Sequence, residues 1–447
     1  VGNVLTKLIQ IIPDDDINGT YKIIRDWMYH STSLANLIMT ETYVITQRAR
    51  ALCTAQPELD YFQAVAKMKV ERVGSYIGKV TEKTIGSSFG YCLSKSPNYA
   101  ENIPGAIRTK IDKVVGQHFQ ADVKTNGLLK GNCSLRSYSR KNMAVYLPSS
   151  KGASKFTCED GNYYFSTINK LRFKVFLGRD NSKNKLAIDR IISGEYKMPD
   201  VSIKIKDNKI FVLAPITIEV TDLGLDPELS VGVDLGITIP AVCALSTGLD
   251  RAFIGNGTEI VNYRFSMRRK RKNLQKSLTL STGGRGRGKK LKALERISST
   301  ESNWIKTKNH LISKKIIDFA LTNGAGTVKL ELLEGFTKEH SSNIVLKDWT
   351  YYQLGEMIQY KAKIAGIVVV RIDPYHTSQT CNVCGHSTKE NRPKGTKGQA
   401  YFKCVSCGHK TNADLNAARN IAKSTKIVTK KKECQYHKLK SNLIEVS

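Results

Sequence analysis

The stretch TSQTCNVCGH, Thr377 to His386, is answered some fifteen residues later by YFKCVSCGHKTNADLNAARNIA, Tyr401 to Ala422. Cys381, Cys384, Cys404 and Cys407 form C-x2-C, nineteen intervening residues, C-x2-C, the spacing of a zinc ribbon. Gly385 and Gly408 stand directly behind the two pairs, so each pair fits a tight turn and four thiolates converge on one Zn²⁺ at about 2.3 Å. Such a site has no open ligand position and is structural, so hydrolytic chemistry has to lie elsewhere. Two disulfides of a secreted protein are the competing reading. Against it, the chain carries no signal-peptide pattern and its other six cysteines are scattered singly. Seven residues past the last of the four cysteines comes Asp414, opening a helix capped by Asn412.

Composition frames the rest. A chain of 447 residues is long enough for two to four domains. No apolar run reaches the roughly 18 residues of a membrane span, and the expected location is cytoplasmic. Seventy Lys and Arg against 39 Asp and Glu leave a net charge of +31, which calls for a polyanion, and nucleic acid is the obvious one. The basic residues run the length of the chain rather than along one amphipathic helix, which argues against a membrane surface. The chain opens on Val1, so a few residues are expected to precede it.

Three textures follow one another. From Tyr21 to Thr125 the period is helical, with Ile24, Met28, Leu34 and Ile38 on one stripe. From Cys133 to Val220 it shortens to two, as in NYYFSTINKLRFKVFLG and VSIKIKDNKIFVL, with Asp207, Asn208 and Lys209 as a hairpin turn. The amino-terminal VLTKLIQII reads as a further strand of that β domain. After an acidic link, TDLGLDPELS (Thr221 to Ser230), the chain becomes α/β. The expected division is a β-rich domain over 1–20 and 126–220, a helical domain over 21–125, an α/β domain over 221–376 and 411–447, and the ribbon over 377–410.

The α/β region offers three acids. VGVDLGITIPAVCALS delivers Asp234 at the end of an apolar strand, and GAGTVKLELLEGF delivers Glu331 at the end of another. Asp414 sits in the first turn of the helix after the ribbon. Taken singly, they read equally well as a turn aspartate, a solvated strand-end glutamate and a helix-dipole aspartate. Brought together they would repel, each raising the others' pKa, unless divalent cations sat among them. Two Mg²⁺ on such oxygen ligands can activate water and stabilise a leaving phosphodiester oxygen.

The motifs VGVDLGI, VKLELLEGF, IDPYHTSQTCNVCGH and FKCVSCGHKTNADLNAARNIA, in this order over Val231 to Ala422, resemble the RuvC-type RNase H-like nuclease domain of transposon-encoded TnpB proteins and compact type V CRISPR effectors. A closer resemblance, to the miniature type V-F effectors, rests on DRIISGEY (Asp189 to Tyr196), STGGRGRGKKLKALERISSTESNWIKTKNH (Ser281 to His310) and WTYYQLGEMIQYKAKIAGIVVVRIDP (Trp349 to Pro374). The amino-terminal 120 residues match weakly. The resemblance implies a multidomain α+β fold. Its parts are a helical recognition lobe, a small β-barrel-like wedge domain, and a RuvC α/β nuclease domain with an inserted zinc ribbon that binds target nucleic acid. It further implies that Asp234, Glu331 and Asp414 hold two Mg²⁺, that the cysteines hold one Zn²⁺, and that Arg392 touches the scissile phosphate. A solvated loop arginine is the other reading of Arg392. The activity implied is Mg²⁺-dependent, RNA-guided DNA cleavage in a prokaryotic CRISPR defence system, with guide RNA and target double-stranded DNA as partners. TnpB-type transposon nuclease and guided binding without cleavage are the alternatives.

Between Arg264 and Lys292 lie twelve Lys or Arg and no acid. Arg268, Arg269, Lys270, Arg271, Lys272, Arg285, Arg287, Lys289 and Lys290 are the expected nucleic-acid contacts, with glycines leaving Arg285 to Lys290 free to follow a phosphate backbone. STKENRPKGTKGQA (Ser387 to Ala400) reads as a loop over the site, and KIVTKKKECQYHKLK (Lys426 to Lys440) as a basic tail. His386 and His409 are expected to pack the ribbon. A compact chain of this length is about 60 Å across. A guide heteroduplex of about 20 base pairs is at least as long. An asymmetric homodimer on one guide RNA is therefore expected, with the helical lobes in contact, as in the type V-F effectors.

Overall fold

The structure, a computed structural model, describes residues 3–58, 63–64, 101–140, 143–149, 153–180, 183–218, 223–280, 285–332, 351–392 and 400–428. The middle of the expected helical lobe, the side chain of Arg285, most of the loop after Ser387 and the basic carboxyl tail lie outside them. The chain divides into two compact units, Val1–Ile218 and Glu219–Ser447.

In the first unit, strand β1 (Asn3–Pro13) leads into the long helix α1 (Ile17–Ala55), whose first turn is capped where the Asp16 carboxylate accepts from Gly19 N–H at 2.9 Å. The stripe of Ile24, Met28, Leu34 and Ile38 is buried, as its spacing predicts. Helix α2 (Gly105–Lys124) buries Ile107, Ile111, Val115 and Phe119, a strict four-residue repeat. The strands are β2 (Val145–Leu147), β3 (Lys155–Glu159), β4 (Asn162–Ser166), β5 (Arg172–Phe176), β6 (Val201–Lys206) and β7 (Lys209–Ile218), with helix α3 (Asn184–Ile192) between β5 and β6. Their sheet order is β2-β6-β7-β1-β5-β4-β3.

The amino-terminal strand is thus central, paired with β7 on one side and β5 on the other. The hairpin between β6 and β7 turns on Asp207 and Asn208, both at positive φ, the backbone a two-residue turn requires; Lys209 already belongs to the strand. One expectation changes. Among the described residues the sheet is open between β2 and β3 rather than barrel-like. Its apolar face, with Ile9, Ile11, Phe165, Phe173 and Val212, is covered by α1 and α2 in a single shared core, so it has no need to close on itself.

The second unit is built on β8 (Asp226–Asp234), β9 (Ala241–Leu245), β10 (Arg251–Ile254), β11 (Ala325–Glu331) and β12 (Val368–Ile372), in the order β10-β9-β8-β11-β12. The first three form an antiparallel meander, and β11 and β12 run parallel to β8. Helices α4 (Gly257–Thr279) and α5 (Arg285–Thr322) form a hairpin, and α6 (Tyr351–Ile364) lies between β11 and β12 in sequence. Ile305, Ile312 and Ile316 of α5 and Leu354 and Ile358 of α6 pack on one group of strand residues that includes Val231, Val233, Val328 and Leu330. After the short ribbon strands β13 (Tyr401–Lys403) and β14 (Lys410–Asn412), helix α7 (Ala413–Lys423) packs Leu415 and Ala418 against Val242 and Ala244.

Two further expectations change here. The acidic link is shorter than its composition suggests, because Asp226–Ser230 already belong to β8: Asp226 N–H donates to the Gly324 carbonyl at 2.9 Å and Ser230 pairs with Thr327. The glycine-interrupted stretch Arg285 to Lys290 is the first part of α5 rather than a free strand of chain. Glycine costs about 1 kcal/mol in a helix. Tertiary contact helps to hold it: Lys290 Nζ donates to the Ser277 carbonyl at 3.0 Å near the carboxyl end of α4, where the helix dipole favours a cation.

Candidate metal centre and ribbon

Buried Val231 and Val233 carry β8 to Asp234 at its carboxyl end. In the parallel neighbour β11, Leu330 lies opposite Val233, which sets Glu331 level with Asp234 at the carboxyl ends of the two strands. Helix α7 supplies the third acid. Asn412 caps it, its side-chain oxygen accepting from Leu415 N–H at 3.0 Å, so Asp414 stands in the first turn. The helix can approach because residue 232 is glycine: a Cβ there would lie 2.1 Å from the Ala418 carbonyl oxygen and 2.2 Å from Ala422 N. Its far end is held by the same two strands. Ser230 Oγ donates to the Ala422 carbonyl at 2.8 Å, and Lys329 Nζ donates to the carbonyls of Ala422 (2.8 Å) and Ser424 (2.9 Å).

Asp234 lies within electrostatic reach of both Glu331 and Asp414. Burial pushes the Asp234 carboxyl well above the ordinary carboxylate range, and the charges of Glu331 and Asp414 push it further, against the pull of Arg392. Burial also raises Glu331 to about 7, eased by a hydrogen bond from the Thr377 hydroxyl and aggravated by Asp373. Asp414 is raised by burial, with Arg392 opposing. For a carboxyl raised in the folded state, the stabilising contribution is complete at pH below its unfolded pKa and is lost as pH rises, through about 7 for Glu331. At neutral pH this cluster therefore costs stability unless cations neutralise it. Three half-buried carboxylates with one arginine in electrostatic reach of two of them suit a hard divalent cation such as Mg²⁺.

The four cysteines are the group, among the described residues, whose metal-ligating atoms lie within 4.8 Å of one another. Cys381 and Cys407 sulfurs are 3.7 Å apart and those of Cys384 and Cys404 3.5 Å. Four sulfurs at about 2.3 Å from one Zn²⁺ stand about 3.8 Å apart, whereas a disulfide needs about 2.05 Å. The donor set fits zinc. Both halves share one turn geometry: Cys381 N–H donates to the His386 carbonyl and Cys404 N–H to the His409 carbonyl, each at 2.9 Å, with Gly385 and Gly408 at φ 76° and 72°. His386 and His409 thus serve through their backbones, and the His386 side chain is exposed. Backbone N–H groups of Cys407 and Ser406 pull the Cys404 thiol down to about 6, toward the thiolate a metal requires.

Helix α7 stitches the ribbon to the acids. Asn416, fully buried, accepts from Asn382 N–H (3.0 Å) and donates to the Thr380 carbonyl (2.7 Å); Asn420 donates to the carbonyls of Thr377 (2.8 Å) and Thr380 (2.7 Å). Thr377 in turn donates its hydroxyl to Glu331.

Sequence reasoning missed four residues here. Thr377 lay in plain view within TSQTC but carries no metal-ligand signature. Lys329 and Ser230 act through the carbonyls of a helix far away in sequence. Tyr351, at the amino end of α6, is buried beside all three acids, which together with burial push its phenol up. Of the expected nucleic-acid contacts, Arg269, Lys270, Lys272, Arg287 and Lys289 are exposed. Arg271 is paired with Glu301, which leaves it a weaker candidate.

Residues 351–421 match the family described as Cas12f1-like, TNB domain. The chain is 37% identical over 243 residues to a CRISPR-associated endodeoxyribonuclease Cas12f1 of Sulfoacidibacillus thermotolerans, covering 53% of this chain and 56% of that one. A second such Cas12f1, of Syntrophomonas palmitatica, is 33% identical over 292 residues, with 56% and 57% covered. The chain thus spans little more than half the length of the curated relatives it matches. Shorter matches reach TnpB-like proteins. Among solved structures, the cryo-EM structure of a Cas12f1-sgRNA-target DNA complex superposes with a TM-score of 0.66 at 18% identity, over 92% of this chain and 84% of that one. The chain is therefore similar to Cas12f1 endodeoxyribonucleases, related to TnpB, and shares their mixed α+β multidomain fold.

Proposed function

We propose that the protein is an RNA-guided DNA endonuclease of a prokaryotic CRISPR system, cutting guide-matched double-stranded DNA beside a short flanking motif with one RuvC-type site. The observation that supports this reading is that Asp234 and Glu331 end the neighbouring parallel strands β8 and β11 side by side, with Asp414 of α7 in electrostatic reach of Asp234. The strand order β10-β9-β8-β11-β12, an antiparallel meander followed by two strands parallel to its first, is RNase H-like. The Cas12f1 relatives support guided DNA cleavage against the TnpB-type and binding-only alternatives.

In this reading Asp234, Glu331 and Asp414 hold two Mg²⁺, which supply an activated water and stabilise the leaving oxygen when bound. Arg392, close enough for its charge to act on Asp234 and Asp414, adds positive charge where the scissile phosphate enters. Thr377 orients Glu331 and favours its ionised form. Neutral Tyr351 keeps a hydroxyl donor facing the acids. The zinc ribbon holds target nucleic acid at the site. The exposed basic face of α4, Arg269, Lys270 and Lys272, with Arg268 beside it, tracks phosphates together with Arg287 and Lys289 of α5. Guide RNA and target DNA are the partners, with two protein copies on one RNA and the helical lobes in contact.

The test is reconstitution with RNA copurified from the native host. Cutting of DNA complementary to that RNA, and of no mismatched DNA, supports the reading; cutting that ignores the RNA overturns it. Thr377→Val sharpens the site assignment. A hydrogen bond to a carboxylate contributes about 1.5 kcal/mol, or about one pH unit. At subsaturating Mg²⁺ the acid limb of the rate profile should therefore move up by about one unit. An unmoved limb would remove Glu331 from the ionisations that govern cutting.

A further inference from the structure

Asn391 has no place in either metal set, yet its side chain is fully buried in a small ribbon. A buried carboxamide must satisfy two N–H bonds and an oxygen, and here every partner is a peptide group of the ribbon. Nδ2 donates to the carbonyls of Gln379 (2.8 Å) and His386 (3.1 Å), and Oδ1 accepts from Val405 N–H (3.0 Å). Gln379 and His386 flank the first cysteine pair, and Val405 lies inside the second. The His386 carbonyl also accepts from Cys381 N–H at 2.9 Å, so Asn391 occupies its other lone pair. One side chain thus bolts together the two halves that the zinc joins by metal bonds.

The next residue in the chain is Arg392. It ends the short turn Lys389–Asn391, its N–H donating to the Lys389 carbonyl at 3.1 Å, and its charge acts on both Asp234 and Asp414. Three bonds anchor Asn391 to both cysteine turns, one residue before Arg392. We propose that Asn391 is the positioning residue of Arg392, fixing to both cysteine turns the backbone from which the guanidinium reaches Asp234 and Asp414. Zinc closure and the placement of this charge are then one event. The catalytic consequence rests on the endonuclease reading; the positional claim does not.

The experiment is a double-mutant cycle on the full chain, read first by calorimetric titration with Mn²⁺ alone and by zinc content. Arg392 competes with a cation for Asp234 and Asp414, so Arg392→Ala should tighten Mn²⁺ binding, by about five- to tenfold. Asn391→Ala should reproduce most of that gain with zinc retained, and the double variant should bind no tighter than Arg392→Ala. Mn²⁺ affinity unchanged by Asn391→Ala, or effects that multiply, would overturn the proposal, as would an Arg392→Ala that alters nothing. If Asn391→Ala loses zinc, Asn391→Ser takes its place, a smaller polar side chain that can keep one of the three bonds; the same pattern at smaller amplitude is expected, and none would be fatal.

Cleavage is the second readout. Asn391→Ala should lower kcat tenfold or more with KM for guide-matched DNA within about twofold, and should cost under twofold in the Arg392→Ala background. A merely structural Asn391 would cost the same factor in both backgrounds, and that result also refutes the proposal. If the wild type cuts no guide-matched DNA, the endonuclease reading fails while the Mn²⁺ cycle still decides the role of Asn391.

Discussion

Replacing Asp234 by Ala should abolish the proposed DNA cleavage, a loss of about a thousandfold or more, because the proposed site then lacks a metal ligand worth several kcal/mol of transition-state stabilisation. Asp414→Ala should do the same from the other side of the site. Neither change touches the basic faces of α4 and α5, so guide-dependent DNA binding should stay within a few fold. The alanine variants should also be more stable than the wild type at pH 8 without divalent cation, since each relieves an acid whose ionisation is opposed, by burial at both positions and by the neighbouring carboxylates at Asp234 as well. Gel-based cleavage, filter binding and melting at two pH values measure the three effects together. A variant that still cuts at a substantial rate in Mg²⁺ would show that these acids are not the ligands.

Zinc is the second large effect. One ion per chain should be present and should resist mild chelation, because the four sulfurs already stand at the spacing a tetrahedral site needs. Cys404→Ser should weaken zinc binding by about a hundredfold or more, since even outer-shell partners are worth 10- to 100-fold. Activity should fall with it although Asp234, Glu331 and Asp414 are all intact. The reason lies in the connections: Thr377, on Glu331, and Asn382 are held by Asn420 and Asn416 of the helix that carries Asp414. Elemental analysis finding no zinc in active protein would refute the assignment.

What could be read directly from the sequence is what depends on spacing along the chain. The two cysteine pairs, the Asn412 cap, the stripe of α1 and the alternation of β6 and β7 are each written within one or two turns or one strand, so periodicity and ligand spacing suffice. The glycines of Arg285 to Lys290 misled because propensity is a weak prior and the bond from Lys290 to Ser277 is a tertiary fact. The acidic composition of Asp226–Ser230 concealed a strand for the same reason: its partner, β11, lies about a hundred residues away.

The candidate site divides along that line. Asp234 and Glu331 were legible as acids ending apolar strands, and Asp414 as an acid opening a capped helix, but nothing in their spacing says that they meet. They meet because β8 and β11 pair in parallel with Val233 opposite Leu330, and because Gly232 lets α7 press against β8 with Ser230 and Lys329 holding its far end. Thr377, Tyr351 and Asn391 had no sequence signal at all, because each acts through one contact with a residue or carbonyl brought near only by folding. Sequence by itself determined the donor types, their order and the zinc spacing, all properties of short segments of chain. Only the tertiary structure decided their convergence, since strand register and helix docking depend on contacts between segments that the chain keeps far apart.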